Sequence, residues 1–276
     1  MAVSQHSVKE SRREKISIGH KRTQRQQRIF FFSVLILFIF SIVMIDIDGS
    51  AIAKGMERLP VILASLTQIS FEHFLEMLAG MVTTVVIAFL AVLFSFVISF
   101  FLAFLVANNT TPNRYLGLGL RYAVMIIRSV PTPIWVLIAV ASIGFGPMAG
   151  IIGLMFPTSS FLIKAFSAQI EEEGTEVIEA IRSVGGTWIH VVFKGLLPTI
   201  LTGMIATLGV RFEIDVHESV VLGMVGAGGI GYLLQSYIQY YDFANLTLGI
   251  LIVFVTMFLL ELSLNRIRAL LRTQSS

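Results

Sequence analysis

Residues 179–198 read EAIRSVGGTWIHVVFKGLLP, a short polar stretch with two adjacent glycines set between long apolar runs. It is too charged to sit in lipid and too patterned for an idle loop. Just before and within it, Val177, Ile178, Ile181 and Val184 recur at helical spacing, with Glu176, Glu179, Arg182 and Ser183 largely on the other side. That pattern predicts a short amphipathic helix over about residues 171–186. Gly185 and Gly186 are placed to supply the left-handed conformation that ends a helix. A second short run starts at Thr187 and leads into another apolar segment, where Pro198 disturbs the helical ladder. Helix, glycine turn, helix and proline make a stiff elbow lying on a membrane surface. The residues alone leave two readings open: an ordinary interfacial helix between two crossings, or a rigid element that transmits force.

The rest of the chain supports the membrane setting. Of its 276 residues, 55% are hydrophobic and only 13% charged, with a mean hydropathy of +0.84. Soluble proteins carry about 25% charged residues, so a polytopic membrane protein is the default class. The absence of cysteine excludes disulfides, thiolate metal sites and cysteine nucleophiles. Eight of the 20 Lys and Arg residues fall in positions 1–28. A basic tail beside an apolar segment is a topology signal, and this one lacks the aromatic partners that nucleic-acid stacking needs.

Six apolar segments are expected to cross: about 29–45, 77–107, 122–145, 148–166, 189–222 and 246–264. The basic regions are the N-terminal tail, the connection with Arg114 and Arg121, the surroundings of Arg182 and Lys194, and the tail with Arg266, Arg268 and Arg272. Residues 46–76 hold five acidic and two basic side chains. The positive-inside rule then places both termini in the cytoplasm. Ala51-Ile52-Ala53 has the look of a signal-peptide processing site. The long preceding tail and the intervening Asp46 and Asp48 favour a retained anchor instead. The expected organisation is a basic tail at 1–28, an anchor and extracytoplasmic loop at 29–75, and a transmembrane domain at 76–272.

Three polar features interrupt the apolar segments. Arg128 precedes Pro131 and Pro133 at the cytoplasmic end of the third; it either snorkels to the interface or lines a pore. Arg211, Glu213, Asp215, His217 and Glu218 crowd the fifth. Helical spacing pairs Arg211 with Asp215 and Glu213 with His217, either as internal neutralisation or as the lining of a hydrated path. Gly226, Gly228, Gly229 and Gly231 match a dinucleotide-binding fingerprint literally. No βαβ context surrounds them, so they read as a flexible or re-entrant break before the last crossing. No metal-binding helix is spelled either, since a zinc-protease pattern from His217 needs histidine where Val221 stands. No cofactor is expected.

The spacing Glu179-Ala180-Ile181, three residues, Gly185, nine residues, then Gly195-Leu196-Leu197-Pro198 resembles the EAA motif of the permease subunits of ABC importers. Glu179, Ala180, Gly185, Leu197 and Pro198 match that pattern, and Ile181 and Gly195 depart from it. Residues 211–235, RFEIDVHESVVLGMVGAGGIGYLLQ, resemble more specifically the permease of phosphonate importers, with Asp215 where Asn is usual and His217 where Arg is usual. Residues 144–150, GFGPMAG, are similar to a further motif of that family. The resemblance covers about residues 75–272. It implies an all-helical type I ABC importer permease, working as a homodimer in a bacterial inner membrane. It also implies an ATPase dimer docked on the elbow and an extracytoplasmic binding protein that delivers a phosphonate or related oxyanion. The chain lacks a phosphate-binding G-x-x-x-x-G-K-[ST] loop, so ATP hydrolysis is expected in the partner. An ion-gradient-driven transporter, with Glu213, Asp215 and His217 as a proton relay, is the alternative.

Overall fold

A computed structural model describes residues 21–45 and 48–273. All the regular structure within them is helical: α1 (Lys21–Met44), α2 (Gly49–Ser65), α3 (Phe74–Val106), α4 (Arg114–Ser129), α5 (Thr132–Ile143), α6 (Pro147–Ser183), α7 (Trp188–His190), α8 (Leu197–Leu222), α9 (Ile230–Gln239) and α10 (Phe243–Thr273). The chain divides within α2 into two units, Met1–Pro60 and Val61–Ser276. In the first, α1 is apolar from Ile29 to Met44 and exposed from Arg25 to Met44. A helix with no polar face belongs in lipid. The functional motifs all lie in the second unit.

Within that unit α3 and α6 pack side by side, and the sequence of α3 explains why. Ala88, Ala91, Ser95, Ser99 and Ala103 recur every three or four residues and are completely buried. Such a stripe of small residues lets two backbones approach closely in an apolar medium. Ser95 and Ser99 donate to the carbonyls of Met155 and Ser159 on α6, at 3.2 and 3.0 Å. On the opposite side of α6, Gly153 lies against the backbone of Val136 in α5, where a Cβ has no room.

Among the described residues five helices are long and apolar enough to cross a membrane, and α4 with α5 makes a sixth span if the pair is counted as one. That pair breaks where Pro131 and Pro133 mark a kink or a helix start: it bends by 87° between Ser129 and Thr132, and α5 begins there. Pro131 forbids a helical conformation at Val130 and lacks the N–H that would continue the ladder. A hydropathy window cannot see the break, since the apolar run continues through it.

The amphipathic helix expected at 171–186 is likewise not separate. It is the last part of α6, which runs for 37 residues without interruption. Gly174 does not break it. It is a packing residue, and a Cβ there would strike Asn109 and Leu196. Two ends of the bundle can be told apart. One gathers residues 106–114 and 170–190, through Asn109 Nδ2 donating to the Ile170 carbonyl at 2.8 Å. The other gathers residues 66–70 and 244–247, through Thr247 donating to Leu66 and Ser70 N donating to Ala244.

Candidate functional site

The elbow closes by a recognisable set of backbone bonds. Gly185 is left-handed at φ +77°, Gly185 N donates to Arg182 O at 3.0 Å and Gly186 N to Ile181 O at 2.9 Å. This is the Schellman ending of a helix, in which the two bonds satisfy otherwise orphaned carbonyls. Gly186 is not left-handed; it is glycine because its position abuts Ile181. Thr187 then caps α7, with the His190 ring nitrogen Nδ1 accepting from Thr187 N. The turn from Val191 to Leu196 is π-helical, and Leu197 N bonds Val192 O, five residues back. This widened turn precedes Pro198, which sits in the first turn of α8 where a missing N–H is tolerated.

The apolar side of the elbow is buried unevenly. Ile178 is buried, while Val177 and Ile181 are half-buried against Gly195. Gly195, where the importer pattern has isoleucine, leaves room for Ile181, where the pattern has alanine. Val184 does not join them: it is 84% exposed, beyond the last turn that touches the bundle. Glu179 and Ala180 point outward, with Glu172, Glu173 and Glu176 also exposed. Glu171 is turned inward instead. It accepts from Asn108 N at 2.7 Å and from Arg121 at 2.9 Å, while Trp188 Nε1 donates to Thr110 O at 2.8 Å. The elbow is thus riveted to the α3–α4 connection on both sides of its glycine turn.

The charged patch of α8 is largely consumed within the protein. Arg211 is 6% exposed and Asp215 not at all. Their side chains form an ion pair, as the helical spacing predicts. Thr158 of α6 completes it: its hydroxyl donates to Asp215 Oδ2 at 2.7 Å and accepts from Arg211 Nε at 3.2 Å. The guanidinium also reaches Glu218 at 3.2 Å and lies 5.3 Å from the Phe161 ring centroid. A buried ion pair is tolerable only with such extra hydrogen bonds.

The second expected pair is wrong. Glu213 binds Arg268 of α10 at 2.8 Å, and His217 is exposed with no bonding partner among the described residues. Arg268 lies 25 positions after Phe243. At 1.5 Å per residue that is about 37 Å, more than the roughly 30 Å of a bilayer core.

The two glycine motifs meet. Gly146 N donates to Gly226 O at 2.9 Å. Gly226, Gly228 and Gly229 have φ of +115°, +80° and +71°, so the backbone turns sharply where α8 ends. Gly226 faces the Phe145 ring, Gly228 faces Pro147, and Gly231 lies against Val220 O and the Gly223 backbone. Ile230 N donates to the buried Thr84 hydroxyl at 3.0 Å. The break is thus closely packed, and hydrogen bonds tie it to the start of α6 and to α3.

Arg128 stands apart from these clusters. It is exposed in the last turn of α4 and lines a cavity of about 590 Å³ with Arg121, Ser129, Lys164, Ser167 and Glu171. Thr158 and Lys164 were not singled out from the sequence. The only signal for the former is the run Thr158-Ser159-Ser160 inside an apolar segment.

Comparison with known proteins agrees with this architecture. Residues 96–274 match the family described as binding-protein-dependent transport system inner membrane component. The phosphate-import permease protein PhnE of Mycolicibacterium smegmatis is 33% identical over 178 residues, covering 64% of this chain and 34% of that protein. The putative phosphite transport system permease protein HtxC of Stutzerimonas stutzeri is 26% identical over 249 residues, covering 90% and 88%. An inward-facing structure of the MetNI methionine ABC transporter superposes with a TM-score of 0.63 at 24% identity, covering 74% of this chain and 99% of that one. The fold is that of a type I importer permease, and the chain belongs to the family of binding-protein-dependent transport system inner membrane components.

Proposed function

We propose that the chain is the membrane-spanning subunit of an ATP-driven importer for a phosphonate, phosphite or similar small phosphorus oxyanion. Two copies enclose the path, an extracytoplasmic binding protein delivers the ligand, and a pair of ATPase subunits grips the elbow from the cytoplasm. The observation that carries this reading is the elbow itself. Glu179, Ala180 and Gly185 are exposed on a helix end whose opposite face is pinned to the bundle. A rigid, outward-facing lever of this kind passes a push from a docked partner directly into α6 and, through Leu197 and Pro198, into α8. The names of the relatives supply the ligand class. In this reading residues 1–28 are a basic cytoplasmic tail, 29–75 an anchor and extracytoplasmic loop, and 76–272 the transporting domain.

Within the path, Arg128 and His217 face open space, while Arg211, Glu213 and Asp215 stiffen its wall. The glycine break at Gly226, Gly228, Gly229 and Gly231 forms a packed gate or re-entrant break at the far end. A proton relay through Glu213, Asp215 and His217 finds no support, because each carboxylate is bonded to a different arginine.

Reconstituted vesicles containing the permease, its ATPase and its binding protein test the proposal. Uptake of labelled phosphonate is expected to require ATP and to persist without a proton gradient. Glu179→Lys is expected to leave the protein inserted while uptake and ATPase stimulation are lost. Uptake that continues on a proton gradient after ATP depletion overturns the reading.

A further inference from the structure

Three arginines lie on one edge of α4. Arg114, Arg121 and Arg128 are seven residues apart, a spacing that stacks them in a single stripe. The stripe separates the half-buried face that carries Val124 and Ile127 from an exposed apolar face with Leu118, Tyr122 and Met125. Arg114 and Arg121 line one cavity with Asn108 and Thr111; Arg121 and Arg128 line the next, together with Lys164 of α6.

The charge balance of that second cavity is uneven. Arg121 is neutralised by Glu171 and also bonded to the Val106 carbonyl. Arg128 and Lys164 have no ion-pair or hydrogen-bond partner for their side chains among the described residues. The cavity holds three cations and one carboxylate, so two positive charges remain uncompensated. Its hydroxyls are occupied: Ser129 donates to Ile126 O and Ser167 to Lys164 O, each within its own helix. Recognition of a ligand therefore falls to the two free cations. Lys164 lies seven residues before Glu171, so the cavity reaches about 10 Å into the bundle from its elbow end. A partly enclosed cleft of net positive charge, with low-dielectric walls, concentrates anions.

We propose that Arg128 and Lys164 form a binding site for a tetrahedral phosphorus oxyanion at the elbow-side mouth of the bundle, fed or drained along the arginine stripe. The choice of phosphorus rests on the function proposed above; the demand for an anion rests on the uncompensated charge. Two sources share this chemistry. One is a transported phosphonate or phosphate leaving the path. The other is the phosphate of an acidic phospholipid, which basic pockets between helices at the cytoplasmic leaflet also hold.

Lys164 offers a readout that needs no transport. The full-length permease, placed in phosphatidylcholine nanodiscs, is treated with an amine-acylating reagent, and labelling of Lys164 is followed by peptide mass spectrometry. Lys54 and Lys194 serve as internal references. Millimolar inorganic phosphate or methylphosphonate is expected to slow acylation of Lys164 several-fold and to leave the references unchanged. Chloride at the same ionic strength is expected to have no such effect. Arg128→Ala is expected to remove the protection, and Arg128→Lys to retain part of it. Protection that appears in phosphatidylglycerol nanodiscs without added phosphate assigns the site to lipid. Equal labelling of Lys164 under every condition, or equal protection by chloride, overturns the proposal. Since no ATPase or binding protein is present, failure here leaves the importer assignment to be judged by uptake alone.

Discussion

Arg211 and Arg128 both lie in helices packed on α6, and the protein treats them in opposite ways. Arg211 is sealed between α6 and α8, where Asp215, Thr158 and Glu218 take up its donors and Phe161 covers its face. Arg128 is exposed at the end of α4, beside a second unpaired cation. A charge within an apolar bundle is expensive unless it is paired. The α8 cluster meets that cost with local partners and so acts as a structural clasp. The α4 cavity leaves its charge uncompensated, and only a ligand, lipid or water can complete it.

The clasp gives the largest expected effect. Asp215→Ala leaves Arg211 buried with only Thr158 and the more distant Glu218. Removing one partner of a buried ion pair costs about 3–5 kcal/mol, so the variant is expected to lose most of its monodisperse folded fraction in detergent. Replacing both partners, as Arg211→Met with Asp215→Leu, is expected to recover much of that loss. Arg128→Ala is expected to melt at the wild-type temperature. An Asp215→Ala protein as heat-stable as the wild type removes the contrast.

Next in size is a steric test of the glycine junction. A Cβ at residue 231 meets Val220 O and the Gly223 backbone, neither of which can rotate aside. Gly231→Ala is therefore expected to cost about 1–3 kcal/mol, the usual range for overpacking. Gly119, on α4, has open space around its Cβ direction. Gly119→Ala is expected to be neutral or slightly stabilising, because alanine is the better helix former. Equal melting temperatures for the two variants would mean that the junction is looser than its backbone bonds indicate.

These contrasts also show which features the sequence could reveal. Span positions were legible because burial in lipid demands long apolar runs, and the elbow was legible because a Gly-Gly turn and a proline occupy fixed places. The Arg211–Asp215 pair was legible because both residues lie on one helix, one turn apart. Thr158 was not, since it reaches the pair from a helix 53 residues away in sequence. The same limit explains the mistaken Glu213–His217 pair: spacing along one helix cannot announce Arg268, 55 residues on. Pro131 and Pro133 marked where α4 and α5 part, but the 87° angle between them was not legible, as hydropathy records composition and not direction.

At the elbow the expected cost is smaller and of a different kind. Gly185 has φ +77° but open space around its missing Cβ. Gly185→Ala is expected to cost about 1–2 kcal/mol from the left-handed conformation alone, with Gly185→Asn milder because asparagine visits that region more readily. Gly185→Asp is expected to fold and insert yet fail to raise ATPase turnover when the partner is added. If Gly185→Asp supports full stimulation, the turn is a structural cap without a docking role.

The smallest effect separates two pairings of one carboxylate. Glu213 and Arg268 meet at 2.8 Å with side chains that are each about a quarter exposed. A pair this far buried is screened by salt much less than a surface pair, and the desolvation of both groups holds its net worth to about 1 kcal/mol. A double-mutant cycle of Glu213→Gln with Arg268→Gln, read as melting temperature at low and high ionic strength, is expected to give a coupling of that size which changes little as salt rises. The parallel cycle with His217→Gln is expected to give none at either ionic strength, because the imidazole is exposed and unbonded. Coupling to His217 in place of Arg268 would return α8 to the one-helix pairing and free Arg268 from the bundle. The α8 charges would then be self-contained on one helix, and α10 would lose its polar tie to the wall that α6 and α8 share.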